Sequence, residues 1–233
     1  MSKRGKKSSR ALWQRAGYAL FRYIFRLISL TYFRYKVENR HLVPKTGGAI
    51  ICANHQSHFD PPVVGQSIPR HVCYMARQSL FSNPFMGFIF HMLDAIPVQR
   101  GGGFSGVKNT LMRIKRGDVV VLFPEGTRSK DGKLGRMKSG FITLARRGKV
   151  PIIPAGVAGA YEALPRGTII PRQSNVRVTF GEAISVEQIQ DMSDEEVIEE
   201  LRVRIQVCME TSRQSSRMKE QDCARRCAYP PSS

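Results

Sequence analysis

The sequence predicts an α/β fold: a single layered domain with a mixed, largely parallel sheet flanked by helices, preceded by an N-terminal amphipathic helix. Three observations predict it. Short apolar runs alternate with stretches of helical periodicity through the middle of the chain, and that alternation layers helices on a sheet. A length of 233 residues suits one sizeable core. A hydrophobic fraction of 42% is ordinary for a globular protein and argues against wholesale disorder.

The elements follow in order. From Ala11 to Tyr35 the chain is apolar and aromatic, but arginines interrupt it. No uncharged run there approaches the roughly 18 apolar residues of a membrane-spanning helix. Arg15, Arg22 and Arg26 fall on one helical face, beside a broad surface of Leu, Ile, Phe and Tyr. That pattern suits a helix lying in a membrane interface, or an amphipathic helix packed on the domain with solvated arginines. Gly48 to Ala53 reads as a buried strand. Asp60-Pro61-Pro62 reads as a helix start, with Asp60 as N-cap. Val72 to Ala76 and Ala95 to Val98 read as strands. Between them Gln78 to Leu93 is uncharged and rich in Phe, Met and Leu. Val107 to Arg116 is helical by periodicity. Asp118 to Phe123 is a β-branched strand entering the turn Pro124-Glu125-Gly126-Thr127. Ser139 to Arg147 reads as a helix, and Val150 to Val157 and Asn175 to Phe180 as strands. A helix follows from Asp194 to about Thr211, with its acids at the front as the macrodipole prefers. The polar remainder, ending Pro-Pro-Ser-Ser, reads as irregular. The expected division is a basic arm over residues 1–40, a domain over 41–211 and a tail over 212–233.

The formal net charge is +19, which calls for an anionic partner. Residues 1–40 hold eleven Lys or Arg against one acid, Glu38. With the apolar surface beside it, this arm points to a membrane with anionic lipids. No nucleic-acid motif is recognisable, and the aromatics cluster with aliphatics rather than on a basic strip. Nucleic acid is therefore not the expected partner. Cys52, Cys73, Cys208, Cys223 and Cys227 are odd in number and scattered, which predicts reduced thiols rather than a disulfide framework.

Two segments carry chemistry. In Asn54-His55-Gln56-Ser57-His58-Phe59-Asp60 a histidine and a carboxylate share a loop that enters a helix. Histidine is suited to take a hydroxyl proton near neutral pH, and a carboxylate on its other nitrogen fixes the tautomer. Read alone, Asp60 is equally an ordinary N-cap and His55 a solvated loop residue. The second segment, Phe123-Pro124-Glu125-Gly126-Thr127-Arg128-Ser129, follows the most strand-like run. Arginines at strand carboxyl ends, Arg100 and Arg128, suit a phosphate gripped by bidentate hydrogen bonds.

These two segments, with Ala95-Ile96-Pro97-Val98-Gln99-Arg100 and Val150 to Val157, resemble in order and spacing the four motifs of the 1-acylglycerol-3-phosphate acyltransferase family. The likeness covers about Asn54 to Gly159. It implies an acyltransferase in phospholipid synthesis, with His55 as base and Asp60 orienting it. It implies Arg77, Arg100, Glu125, Gly126, Thr127 and Arg128 as substrate-binding residues, and a weaker part for Pro154 near the donor. It implies lysophosphatidic acid as acceptor and acyl-CoA or acyl-carrier protein as co-substrate, with no metal and no bound cofactor. A membrane-associated protein on the cytoplasmic face is expected. A different lysophospholipid acceptor and a non-catalytic membrane adaptor are the alternatives. One departure stands out: Asp94 occupies the place where the family's second motif usually begins with Gly, and an acid near a phosphate site is unexpected. The aromatic Phe81, Phe85, Phe88, Ile89 and Phe90 are candidates for an acyl-chain channel, a bilayer-dipping surface or plain core.

Overall fold

A computed structural model describes residues 12–99, 104–165, 167–168 and 170–228. The elements run α1 (Leu12–Thr31), β1 (Lys36–Glu38), β2 (Ala49–Ala53), α2 (Asp60–Ser67), β3 (Val72–Arg77), α3 (Pro84–Met92), β4 (Ala95–Val98) and α4 (Phe104–Lys115). They continue as β5 (Val119–Leu122), α5 (Gly140–Gly148), β6 (Ile152–Ala158), α6 (Ala160–Ala163), β7 (Arg177–Phe180), α7 (Val186–Asp191) and α8 (Asp194–Ala228).

The strands form one seven-stranded sheet in the order β1-β7-β6-β2-β5-β3-β4. All neighbours are parallel except β6 and β7. The α/β expectation holds, with a mixed, mostly parallel sheet. Side-chain alternation along each strand builds two cores. On one face Ile51 of β2 packs with Val63, Val64 and Ile68, from α2 and the turn after it. On the other, Ile50 and Cys52 pack with Ile114 of α4, Phe141 of α5 and Leu201 and Ile205 of α8. The strand centres are covered on both faces, which explains why their sequences read as continuous apolar runs rather than alternating ones.

Four expectations need correction. The chain does not turn irregular at Ser212: α8 runs on to Ala228. Ser212 is fully buried, sharing a hydrogen bond with Thr179 Oγ1 and donating to the Gly156 carbonyl. Polar composition misled because these hydroxyls meet buried partners. Gly156 is what lets α8 come so near, since a Cβ there would lie 2.3 Å from the Cys208 carbonyl carbon. Second, Lys36–Glu38, expected within the arm, pairs with β7 as an edge strand of the sheet.

Third, the arginine stripe of α1 is not wholly solvated. The Arg22 guanidinium donates to the carbonyls of Gln66, Ile68 and Arg70, where α2 ends. It serves the orphan carbonyls and negative dipole end of α2. The opposite face of α1 is left open, with Leu20, Tyr23, Ile24 and Leu27 exposed. Fourth, Asp60 is the first residue of α2 with Phe59 in the cap position, and no side chain caps the helix. The Asp60 carboxylate turns back to the preceding loop instead. The aromatic stretch also divides: Phe85 and Phe88 are exposed, with Phe88 stacked on Trp13 of α1, while Phe81 and Phe90 pack together.

Candidate active site

Parallel strands put the carboxyl ends of β6, β2, β5, β3 and β4 along one edge, and the loops after them converge there. Register aligns Cys52 of β2 with Leu122 of β5. His55 and Glu125 each lie three residues further on, so the two loops leave the sheet side by side.

His55 Nδ1 lies 2.8 Å from Asp60 Oδ2. The same oxygen accepts from the backbone amides of Gln56, at 2.5 Å, and Ser57, at 2.7 Å. Asp60 is fully buried, and these donors compensate its charge. A five-residue spacing works here because the chain between is loop: the carboxylate folds it into a tight turn and presents it to the ring. The His55 ring stacks on Phe123, with centroids 4.2 Å apart. Nδ1 is thus committed, leaving Nε2 as the nitrogen able to take a proton. The sequence-predicted pair is together, and Asp60 fixes both the loop and the tautomer.

Glu125 does something the sequence reading did not specify. Its Oε1 accepts from the His55 amide at 2.7 Å and its Oε2 from the Gly135 amide at 2.8 Å. Burial pushes its carboxyl above the usual carboxylate range, and the two amides pull it partly back. Both oxygens are occupied by backbone, so Glu125 holds the His55 loop to the following loop. The Ser129 amide completes this zip by donating to the His55 carbonyl at 2.7 Å. Gly126 has a φ of 66°, the left-handed conformation in which glycine is at ease.

Arg77, at the end of β3, donates to the Gly126 carbonyl at 3.1 Å. Arg128 is half-buried; partial burial of His58, and after it the Arg128 charge, lowers the His58 pKa. Thr127 is exposed at the tip of the turn. Arg100 lies outside the described residues. The amides of His55, Gly126 and Ser129 are committed to internal acceptors, which removes three candidates for stabilising an oxyanion.

Asp94 is not near this edge. It precedes β4 and is level, by register, with Ile50 of β2. That is five residues before His55, or roughly 15 Å along the strands. Its φ of 58° explains the departure physically: the position needs a left-handed residue, which Asp tolerates better than most.

Several site-shaping residues escaped the sequence reading. Asn54 donates to and accepts from the Val157 backbone, at 2.9 and 2.7 Å, splinting the end of β2 to β6. Gln56 donates to the Gly132 carbonyl at 2.6 Å. Lys138 Nζ lies 3.1 Å from where a Cβ on Gly126 would stand. The one available signal was the basic run Lys130, Lys133, Arg136 and Lys138 after the turn.

Comparison with known proteins agrees with this geometry. The Acyltransferase family model matches residues 34–158. A 1-acyl-sn-glycerol-3-phosphate acyltransferase of Bacillus subtilis is 31% identical over 151 residues, covering 64% of this chain and 73% of that protein. A chloroplastic 1-acyl-sn-glycerol-3-phosphate acyltransferase of Arabidopsis thaliana is 30% identical over 158 residues, covering 66% of this chain but only 44% of that protein. Among solved structures, the 1-acyl-sn-glycerophosphate acyltransferase PlsC from Thermotoga maritima superposes with a TM-score of 0.72 at 23% identity, covering 87% of this chain and 83% of that one. At that identity the likeness bears on the fold, while the sequence matches reach further: the chain belongs to the acyltransferase family, as a PlsC-like member related to the lysophosphatidate acyltransferases.

Proposed function

We propose that this acyltransferase moves an acyl group from acyl-CoA or acyl-carrier protein to the sn-2 hydroxyl of 1-acylglycerol-3-phosphate, giving phosphatidic acid. The observation that carries the mechanism is the His55 Nδ1–Asp60 Oδ2 contact of 2.8 Å, which leaves Nε2 for the substrate. His55 Nε2 takes the hydroxyl proton as the oxygen attacks the thioester carbonyl. The tetrahedral intermediate collapses, the C–S bond breaks, and the thiolate leaves with the proton returned by His55. Asp60 holds the ring and offsets the charge on the imidazolium. No acyl-enzyme is needed, and alignment of the two substrates supplies much of the acceleration.

Arg77, Arg100 and Arg128 suit the acceptor phosphate because each is expected at the same sheet edge and guanidinium matches phosphate geometry. Glu125 and Gly126 contribute by shaping the turn that presents Arg128 and Thr127. The similarity of the two curated relatives, whose names specify 1-acyl-sn-glycerol-3-phosphate, supports this acceptor over other lysolipids. Among the described residues no helix is long and apolar enough to cross a membrane. The open face of α1, continued by Phe85 and Phe88, suits a monotopic seat in an anionic bilayer surface.

The test is acyl transfer from a labelled thioester to 1-acylglycerol-3-phosphate in mixed micelles, alongside lysolipids with larger headgroups. Wild type is expected to favour the lysophosphatidate, and a folded His55→Ala variant to fall on the order of 10²–10⁴-fold. Equal activity in the two proteins would reject His55 as base. Preference for another headgroup would reject the acceptor.

A further inference from the structure

At the sheet edge opposite His55, three side chains of different chemistry meet on one carboxylate oxygen. His71 Nε2 lies 3.0 Å from Asp94 Oδ2, and Cys73 Sγ lies 3.5 Å from the same oxygen. One ligand atom from each residue falls within 4.8 Å of the others. We propose that His71 Nε2, Cys73 Sγ and Asp94 Oδ2 form a binding site for a borderline-soft divalent cation of the zinc class. It is separate from the acyl-transfer site and has no part in that chemistry.

The donor set is the first argument. Imidazole, thiolate and carboxylate are the three ligand types zinc takes, and metal–ligand bonds of about 2.0–2.3 Å place tetrahedral ligands roughly 3.3–3.8 Å apart. The contacts of 3.0 and 3.5 Å to Asp94 Oδ2 lie close to that spacing, and the remaining pair lies within 4.8 Å, so side-chain rotation would close the set on an ion. The second argument is how the carboxylate is divided. Arg113 pairs with Asp94 Oδ1, and its other terminal nitrogen lies 3.4 Å from Asp118 Oδ2. The arginine therefore orients the ligand from behind, as outer-shell partners of metal sites do, while Oδ2 meets His71 and Cys73.

Access agrees. The side chains of His71 and Asp94 are each 22% exposed, which gives an ion a way in, while Cys73 is buried. Binding would release the Cys73 thiol proton to solvent and shift the His71 proton from Nε2 to Nδ1. The Tyr18 ring of α1 lies tilted against His71 with centroids 4.1 Å apart, so the ion would tie β3 and the start of β4 together beneath α1.

The experiment uses the 233-residue chain carrying Cys223→Ser and Cys227→Ser, which removes the two thiols nearest its end. Co²⁺ serves as spectroscopic probe and Zn²⁺ is titrated by calorimetry. One equivalent of Co²⁺ should give a thiolate-to-cobalt charge-transfer band, and one equivalent of Zn²⁺ should raise the melting temperature. Cys73→Ser and Asp94→Gly should each abolish the band and weaken Zn²⁺ binding by more than about 10-fold, the lower end of what loss of an outer-shell partner alone causes. Asp94→Gly is the decisive variant, because glycine suits the positive φ and removes the ligand without straining the fold. No band in the folded parent, or an unchanged band in Asp94→Gly, would overturn the site.

Discussion

At the scale of single residues, the candidate site is built by groups that hold backbone as much as by groups that face substrate. Glu125 is the clearest case. Replacing it with Ala leaves the amides of His55 and Gly135 without acceptors. That change is expected to cost about 1–3 kcal/mol of stability and to lower acyl transfer by displacing His55; denaturant unfolding and kcat measure the two effects. Glu125→Gln keeps one acceptor oxygen and should fall between. His58 gives a pH signature. Partial burial, then the charge of Arg128, depresses its native pKa, so the unfolded chain binds the proton more readily. Stability from this group is present above about pH 6.5, the ordinary histidine value, and is lost as pH falls through the lower native value. His58→Asn should therefore lose less melting temperature than wild type between pH 7.5 and 5.5, and an equal loss would refute this. The closeness of His55 and Asp60 is legible in the sequence because one short loop contains both. The partners of Glu125 are not, because they are backbone amides brought near by the β2–β5 register and by the return of the chain at Gly135. Lys138 is hidden for the same reason: its place beside Gly126 depends on how the loop after the turn folds back.

At the scale of elements, strands were legible because parallel strands covered on both faces are written as unbroken apolar runs. Gly48 to Ala53 and Ala95 to Val98 show this, each within a residue of β2 and β4. The orientation of α1 was not legible. Periodicity shows that Arg15, Arg22 and Arg26 share a face, but which way that face turns depends on the carbonyls at the end of α2. Arg22 faces inward because those carbonyls accept from it. The helix is thereby clamped with its apolar side outward. Leu20→Glu with Leu27→Glu, both exposed, should each change stability by no more than about 0.5 kcal/mol while together reducing co-sedimentation with anionic vesicles severalfold. Unchanged vesicle binding would reject α1 as the seat. The extent of α8 escaped the sequence because Ser212 and its neighbours look like solvated tail, yet Ser215 and Ser216 find acceptors in Glu38 and Asn175.

At the scale of the whole molecule, charge and apolar surface act together. In the proposed seat the net charge of +19 would draw the chain to anionic lipid, and apolar contact would retain it. Binding to vesicles rich in acidic phospholipid should weaken as salt rises from 50 to 500 mM, whereas binding to neutral vesicles should be weak and nearly independent of salt. Equal binding to both would show that the charge is not used in this way. The helix α2 joins the two ends of the proposal. Its first residue, Asp60, holds His55, and its last turn holds Arg22 of α1. Eight residues make a rod of about 12 Å. With α1 seated in the interface as proposed, this rod would be a spacer: it fixes how far the imidazole stands from the helix that meets the lipid. Lengthening α2 by one turn would add about 5.4 Å to the rod and move one of its two clients, the His55 loop or α1, out of register with the other.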